Sequence, residues 1–110
     1  MSFTVRISPK AHEDIAGIYN YIANDSETVA RKQIDVIYNT MDNLSEFPKI
    51  GKILDNFIEA KTDYRFLVVN KTYLVFYKIV KEEIHIIRVL RGEQDYLNIL
   101  GLNNNDGGEQ

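Results

Sequence analysis

Five side chains able to carry positive charge sit inside runs that should be buried: Arg65, Lys78, His85, Arg88 and Arg91. A folded domain keeps charge in such places only with a salt bridge, an anionic ligand or a partner protein. Arginine suits anions because its planar fork clamps phosphate or carboxylate through two bonds at once. Histidine can exchange a proton near neutral pH, and a tyrosine with a shifted pKa can do the same. Arg65, Arg91, His85 and Tyr96 are therefore the residues that could hold or transform an anion. Each also has an ordinary reading: Arg65 as a surface arginine bridged to an acid, His85 as a solvated strand residue, Tyr96 as a core aromatic. Arg88 reads as a satisfied buried cation. His12 beside Glu13, and Arg31-Lys32 near Asp35, read as plain helix surface.

These residues must be positioned by three runs rich in β-branched and aromatic residues, separated by polar gaps at Asn70-Lys71 and Lys81-Glu82. That pattern predicts a three-stranded antiparallel meander. Upstream, Phe3, Val5 and Ile7 alternate with polar residues as a short strand. Ser8-Pro9 then offers an N-cap and a first-turn proline. A helix is expected to about Ala23, with Ala11, Ile15, Ile18 and Ile22 on one stripe. After the Asn24-Asp25-Ser26 turn, Ala30, Ile34, Ile37, Met41 and Leu44 mark a second helix, with Phe47 extending its face and Pro48 stopping it. So short a connection predicts an antiparallel helical hairpin. Asn56-Phe57-Ile58 reads as a brief strand, and the segment after Gly92 as a short helix presenting Tyr96, Leu97 and Leu100. The fold class is α+β, with the helices packed on one sheet face. Residues 1–102 form one domain, and 103–110 read as a polar disordered tail.

With two-residue loops in both hairpins, Arg65, Leu67, Leu74, Phe76, Lys78, His85, Ile87 and Arg91 share one face. Tyr64, Phe66, Val68, Tyr73, Val75, Tyr77, Ile79, Ile84, Ile86 and Leu90 share the other. The second set is almost wholly apolar and should meet the helices. The first should be open to a partner. Arg88 falls on the helix side, where an acidic helix residue or a carbonyl would have to pair it.

The chain has 110 residues, 45% hydrophobic and 26% charged, which suits one small globular domain. There is no cysteine, which excludes disulfides, cysteine–zinc sites and thiol catalysis. His12 and His85 show no metal-ligand spacing, so neither metal nor cofactor is expected. MSFTVRISPK has no apolar core of a signal peptide. No apolar run approaches the ~20 residues of a membrane span. The expected setting is cytoplasmic. Net charge is −3, unevenly spread: residues 61–91 hold seven Lys/Arg against three Asp/Glu, and residues 92–110 hold four acids and no base. A locally basic sheet on an acidic protein can meet an anion, but the chain lacks the overall footprint of a nucleic-acid binder.

The order and spacing of several pieces resemble the RelE/ParE family of toxins from bacterial type II toxin–antitoxin modules. They are A-x-x-D-I-x-x-I-x-x-Y-I from Ala11 to Ile22, F-P-x-I-G from Phe47 to Gly51, Tyr64-Arg65, YLVFY from Tyr73 to Tyr77, and I-x-I-I-R-V-L-R-G-E-Q-D-Y from Ile84 to Tyr96. The resemblance covers roughly residues 3–100. It implies a growth-inhibiting toxin, of a kind found in plasmid stabilization, that a cognate antitoxin neutralises by wrapping it. RelE-like members cut mRNA on the ribosome, and ParE-like members inhibit DNA gyrase. The RVLRGEQD ending is more similar to the ParE branch. Arg65 matches a basic position of the cleaving branch, whereas Leu67 and Leu74 stand where that branch tends to carry cations. Arg91 and Tyr96 fall near its C-terminal arginine and tyrosine.

RNA cleavage requires deprotonation of the 2′-hydroxyl, stabilisation of the phosphorane charge and protonation of the leaving oxygen. Were the chain an endonuclease, Arg65, Arg91 and Tyr96 would be its catalytic residues. As a ParE-like binder it would use Arg65, Leu67, Leu74, Phe76, His85 and Arg91 toward antitoxin or target and need no active site. The ParE-like reading is favoured, with the ribosome-dependent endonuclease as the alternative and an inactive antitoxin-binding remnant as a third.

Overall fold

The computed structural model describes residues 2–102. Its local structure follows the capping chemistry closely. Strand β1 (Thr4–Ile7) leads to Ser8, whose Oγ accepts the Ala11 N–H at 3.0 Å and donates to the Ile87 carbonyl at 2.9 Å. One hydroxyl thus starts helix α1 (Pro9–Ala23) and ties that start to the sheet. Ser26 Oγ caps helix α2 (Glu27–Asn43) in the same way, through the Val29 N–H at 3.2 Å. The later elements are β2 (Lys52–Ile53), β3 (Tyr64–Val69), β4 (Tyr73–Val80), β5 (Glu83–Arg91) and α3 (Tyr96–Ile99). A 3-10 turn over Leu54–Asn56 follows β2, so Asn56-Phe57-Ile58 is not the strand expected there.

The five strands run in the order β1-β5-β4-β3-β2. The meander is present, and β1 lies parallel to β5 at one edge. A parallel neighbour needs a long crossover, which the helical hairpin and the rest of the sheet supply. The main core lies between helices and sheet. Ala11, Ile15, Ile37, Met41 and Leu44 meet Val75, Tyr77, Ile84, Ile86 and Val89, all buried. Each large side chain in that set contributes roughly 1.5–3 kcal/mol. Ile18 and Ile34 pack on it from the edges. Phe47 does not extend this face; it projects outward.

Two details of register correct the assignment of faces. The β3–β4 connection has three residues, Asn70 to Thr72, because Val69 lies opposite Tyr73. Asn70 and Lys71 take φ of 52° and 60°, and the Thr72 N–H bonds the Val69 carbonyl at 3.1 Å. The extra residue moves β3 by one step, so Arg65 faces Tyr77 instead of Phe76. Because side chains alternate with period two, that single step sends Arg65 and Leu67 to the helix side and Tyr64, Phe66 and Val68 to the other. The β4–β5 hairpin has the expected two-residue loop, and Lys78 does lie opposite His85. Further on, a bulge places both Ile87 and Arg88 against the step between Phe76 and Tyr77. Beyond it Val89 joins the helix-side core, Leu90 turns away, and Arg91 lies opposite Tyr73.

The face away from the helices is not open along its length. Leu54, Phe76 and Leu90 are buried there in a second cluster, covered by Tyr96, Ile99 and Leu100 of the C-terminal turn and by Ile58, Tyr64, Phe66 and Leu74. Phe76 is fully enclosed, so it is not an accessible contact for a partner. The expected tail 103–110 lies outside the described residues.

Candidate functional site

Of the cations singled out in the sequence, Arg91 alone lines a substantial cleft. That cleft, of about 540 Å³, opens between one face of α1 and the adjoining ends of β4 and β5. Glu13, Gly17 and Tyr21 come from α1 at successive four-residue steps, which places them on one stripe of the helix. Across from them stand Tyr73 at the start of β4 and Arg91 at the end of β5. Nothing lies within 4 Å of where a Cβ at Gly17 would be, so the glycine leaves the wall of the cleft low.

The turn after β5 holds Arg91 by its backbone. Its N–H donates to Gln94 Oε1 at 2.8 Å, its carbonyl accepts the Gln94 N–H at 3.1 Å, and the Gly92 N–H donates to the Thr72 carbonyl at 2.9 Å. The guanidinium carbon sits 5.9 Å from the centre of the Tyr21 ring, a cation–π contact that leaves the ring otherwise exposed. Arg91 Nε is buried. It lies 3.4 Å from Glu93 Oε2, close enough for ion pairing but not aligned as a hydrogen bond, and it has no other acceptor. The side chain as a whole is 42% exposed, so it is the outer part of the guanidinium, not Nε, that can meet an incoming carbonyl or carboxylate. Burial pushes the Tyr73 hydroxyl above its ordinary pKa, and the Arg91 charge opposes part of that shift. Tyr73 is therefore a neutral donor at physiological pH. No histidine lines the cleft. Glu13, Asp14 and Glu93 line the cleft with Arg91, so it presents one guanidinium among three carboxylates, of which Asp14 is already paired with Arg88. It can bind a polar or basic group as well as a carbonyl or carboxylate set directly on Arg91.

The other residues singled out in the sequence are dispersed. Arg65 Nη1 donates to the carbonyls of Gly51 at 2.9 Å and Lys49 at 3.3 Å, so its role here is to hold a loop. It lies opposite Tyr77, four residues along β4 from Tyr73, a separation of roughly 13 Å at ~3.3 Å per residue. Tyr96 is on the far side of the sheet, packed on Phe76 with ring centres 5.4 Å apart. Leu67 packs against the helix-side core, and Leu74 against the second cluster. His85 Nε2 pairs with Glu83 at 2.8 Å, and Glu83 also takes Arg6 Nε at 2.8 Å. The hydrogen bond from His85, then that from Arg6, holds the Glu83 carboxyl below its usual range. Arg65, Arg91 and Tyr96 are thus not brought together. Among the described residues no group of three or more His, Asp or Glu is arranged to hold a metal ion, and no helix is long and apolar enough to cross a membrane.

Tyr21, Tyr73 and Gly17 complete the cleft without having been singled out. Gly17 gave a signal, since a glycine inside a helix is costly and often marks close approach or open space. Tyr21 off the Ile stripe was a second.

Residues 5–96 match the family model described as the ParE toxin of the type II toxin–antitoxin system, parDE. Among solved structures, the chromosomal ParDE TA system from P. aeruginosa has the same fold, with a TM-score of 0.70 at 20% identity. That match covers 84% of this chain and 98% of the other. No curated protein matches the sequence.

Proposed function

The chain belongs to the ParE toxin family of type II toxin–antitoxin systems, and from that premise we propose that it arrests growth by binding DNA gyrase in the cytoplasm and is neutralised by a cognate antitoxin. The observation that carries the binding mechanism is the separation of Arg65, Arg91 and Tyr96. One arginine holds a loop, the other lines the α1 cleft, and the tyrosine is packed behind the sheet. Transition-state stabilisation needs such groups within a few ångströms of one reacting phosphate. A binding protein needs no such convergence. The low net charge adds to this, since it gives little general attraction to ribosomal RNA.

The Arg91 cleft is the proposed anchor for the antitoxin. Its half-exposed guanidinium, the Tyr73 hydroxyl and the exposed Tyr21 ring, with Glu13 and Glu93 beside them, suit a segment that sets a carbonyl or carboxylate on Arg91 and an apolar side chain on Tyr21. Phe76 is fully enclosed and leaves the contacts expected on the sheet, whereas Arg65, Leu67 and Leu74 are half-buried and keep part of their surface for a partner.

Purified chain should inhibit gyrase supercoiling and leave ribosome-bound mRNA intact with an empty A site. After induction, thymidine incorporation should fall before methionine incorporation. Codon-aligned cleavage that disappears in an Arg65→Ala, Arg91→Ala double variant would establish the endonuclease instead.

A further inference from the structure

The segment Phe47–Gly51 turns two large apolar side chains into solvent. Phe47 is 58% exposed and Ile50 61% exposed. Together with Pro48 and the stem of Lys49 they line a shallow depression of about 410 Å³. Other large apolar side chains are exposed as well, Tyr21, Phe57 and Val68 among them, but here two stand together on one short loop, and a contiguous apolar surface marks an interaction site more often than chance.

The display is built in, because the core itself holds the loop. Tyr77 is fully buried under it, and its hydroxyl donates to the Pro48 carbonyl at 2.7 Å and accepts the Gly51 N–H at 2.9 Å. Opposite Tyr77 across the β3–β4 pair, Arg65 donates to the carbonyls of Lys49 and Gly51. Gly51 must be glycine, since a Cβ there would meet Tyr77 Oη at 2.5 Å. Two adjacent strand residues and one glycine thus fix the backbone that carries Phe47 and Ile50. All of these bonds are internal to the chain.

Charge around the loop is one-sided. Lys49 and Lys52 flank Ile50, the Arg65 guanidinium lies beneath, and Glu46 is the one acid within residues 46–53. Asp55, the next acid, is taken up by Thr62.

We propose that the Phe47–Gly51 loop is the element with which the chain engages its protein target, seating Phe47 and Ile50 in an apolar pocket rimmed by carboxylates, on a surface distinct from the Arg91 cleft. This rests on the reading of the chain as a toxin acting by binding. A toxin works after its antitoxin has gone, so the surface that meets the target must be organised in the free protein. Preorganisation also lowers the ordering cost of association. The loop meets that condition, and its positive flanks select an acidic rim.

The test separates target from antitoxin. Full-length Phe47→Ser/Ile50→Ser and Lys49→Glu variants are expressed from an inducible promoter, then purified and titrated against the antitoxin that neutralises wild type. Both should melt as wild type does and hold the antitoxin with unchanged affinity, while growth arrest requires about tenfold more protein or is lost. If wild type arrests growth without inhibiting gyrase, the gyrase reading fails and the loop is still judged by growth arrest. Undiminished arrest by Phe47→Ser/Ile50→Ser overturns the inference. So does loss of antitoxin binding in that variant, which would make the loop an antitoxin surface. Loss of arrest in Lys49→Glu alone would point to a polyanion such as RNA and also overturn it. A wild-type chain that never arrests growth overturns both readings.

Discussion

Arg88 and Asp14 stand 74 residues apart in the chain and meet side to side. Arg88 Nε lies 2.7 Å from Asp14 Oδ2, and Nη2 lies 2.8 Å from Oδ1. Oδ2 also accepts the Val89 N–H at 3.0 Å. The pair bolts the first helix to the last long strand just past its bulge. The Asp14 hydrogen bonds raise the Arg88 pKa further, so this cation is charged at every accessible pH.

Breaking that pair should cost stability and not only a contact. The two side chains are 22% and 12% exposed, so either one left alone is a poorly solvated charge. Arg88→Ala should lower unfolding free energy by about 3 kcal/mol in urea titration. Asp14→Ala should cost a similar amount, since it also strands the Val89 N–H. The double variant should lose less than the sum of the two, as a thermodynamic cycle would read.

Gly51→Ala should destabilise through overpacking. The new methyl would sit 2.6 Å from Tyr77 Cε1, and a fully buried ring has little room to move. The expected loss is roughly 1–3 kcal/mol by thermal or urea unfolding. Tyr77→Phe should cost about as much for another reason: the Gly51 N–H and the Pro48 carbonyl would both lose their partner.

Leu74→Asp is expected to damage the fold. Leu74 packs against the cluster of Leu54, Phe76 and Leu90, so a carboxylate there faces apolar groups. A loss of roughly 2 kcal/mol in unfolding free energy is expected. Arg91→Ala should behave oppositely, melting nearly as wild type but binding antitoxin about tenfold more weakly in a titration.

Acid stability should depend on Asp55. Its carboxylate accepts the Thr62 hydroxyl at 2.6 Å and the Thr62 N–H at 2.9 Å, and these bonds, the hydroxyl's first, hold its pKa below the ordinary carboxylate value of about 4. Between the lowered folded value and the ordinary unfolded one, the unfolded chain binds more protons, so stability rises with pH. The contribution is complete above the ordinary value and is lost as pH falls through the lowered one. Asp55→Asn should flatten stability against pH on the acid side. A residual slope should remain from Glu83, whose pKa is also depressed. Urea unfolding at several acidic pH values measures both.

The sequence by itself determined the local elements and their order outside residues 52–58, where β2 and a 3-10 turn replace the strand expected at Asn56-Phe57-Ile58. Ser8-Pro9 and Ser26 are caps whose chemistry acts within a few residues, and the Ala11–Ile15 and Ile37–Met41 stripes mark buried helix faces by spacing alone. The meander was legible for the same reason, and so was the need for Arg88 to be paired by an acidic helix residue or a backbone carbonyl; the fold chose Asp14. Tertiary structure decided which side of the sheet each cation occupies. That depended on one extra residue at Thr72 and one bulge at Ile87–Arg88, and in a period-two element a single residue reverses a face. It also decided that the second face would be covered, because Tyr96, Ile99 and Leu100 are too short a segment to announce where they dock. Arg65 became a loop clamp and Arg91 a cleft residue through contacts 14 or more positions away in the chain, and no local pattern carries information over that range.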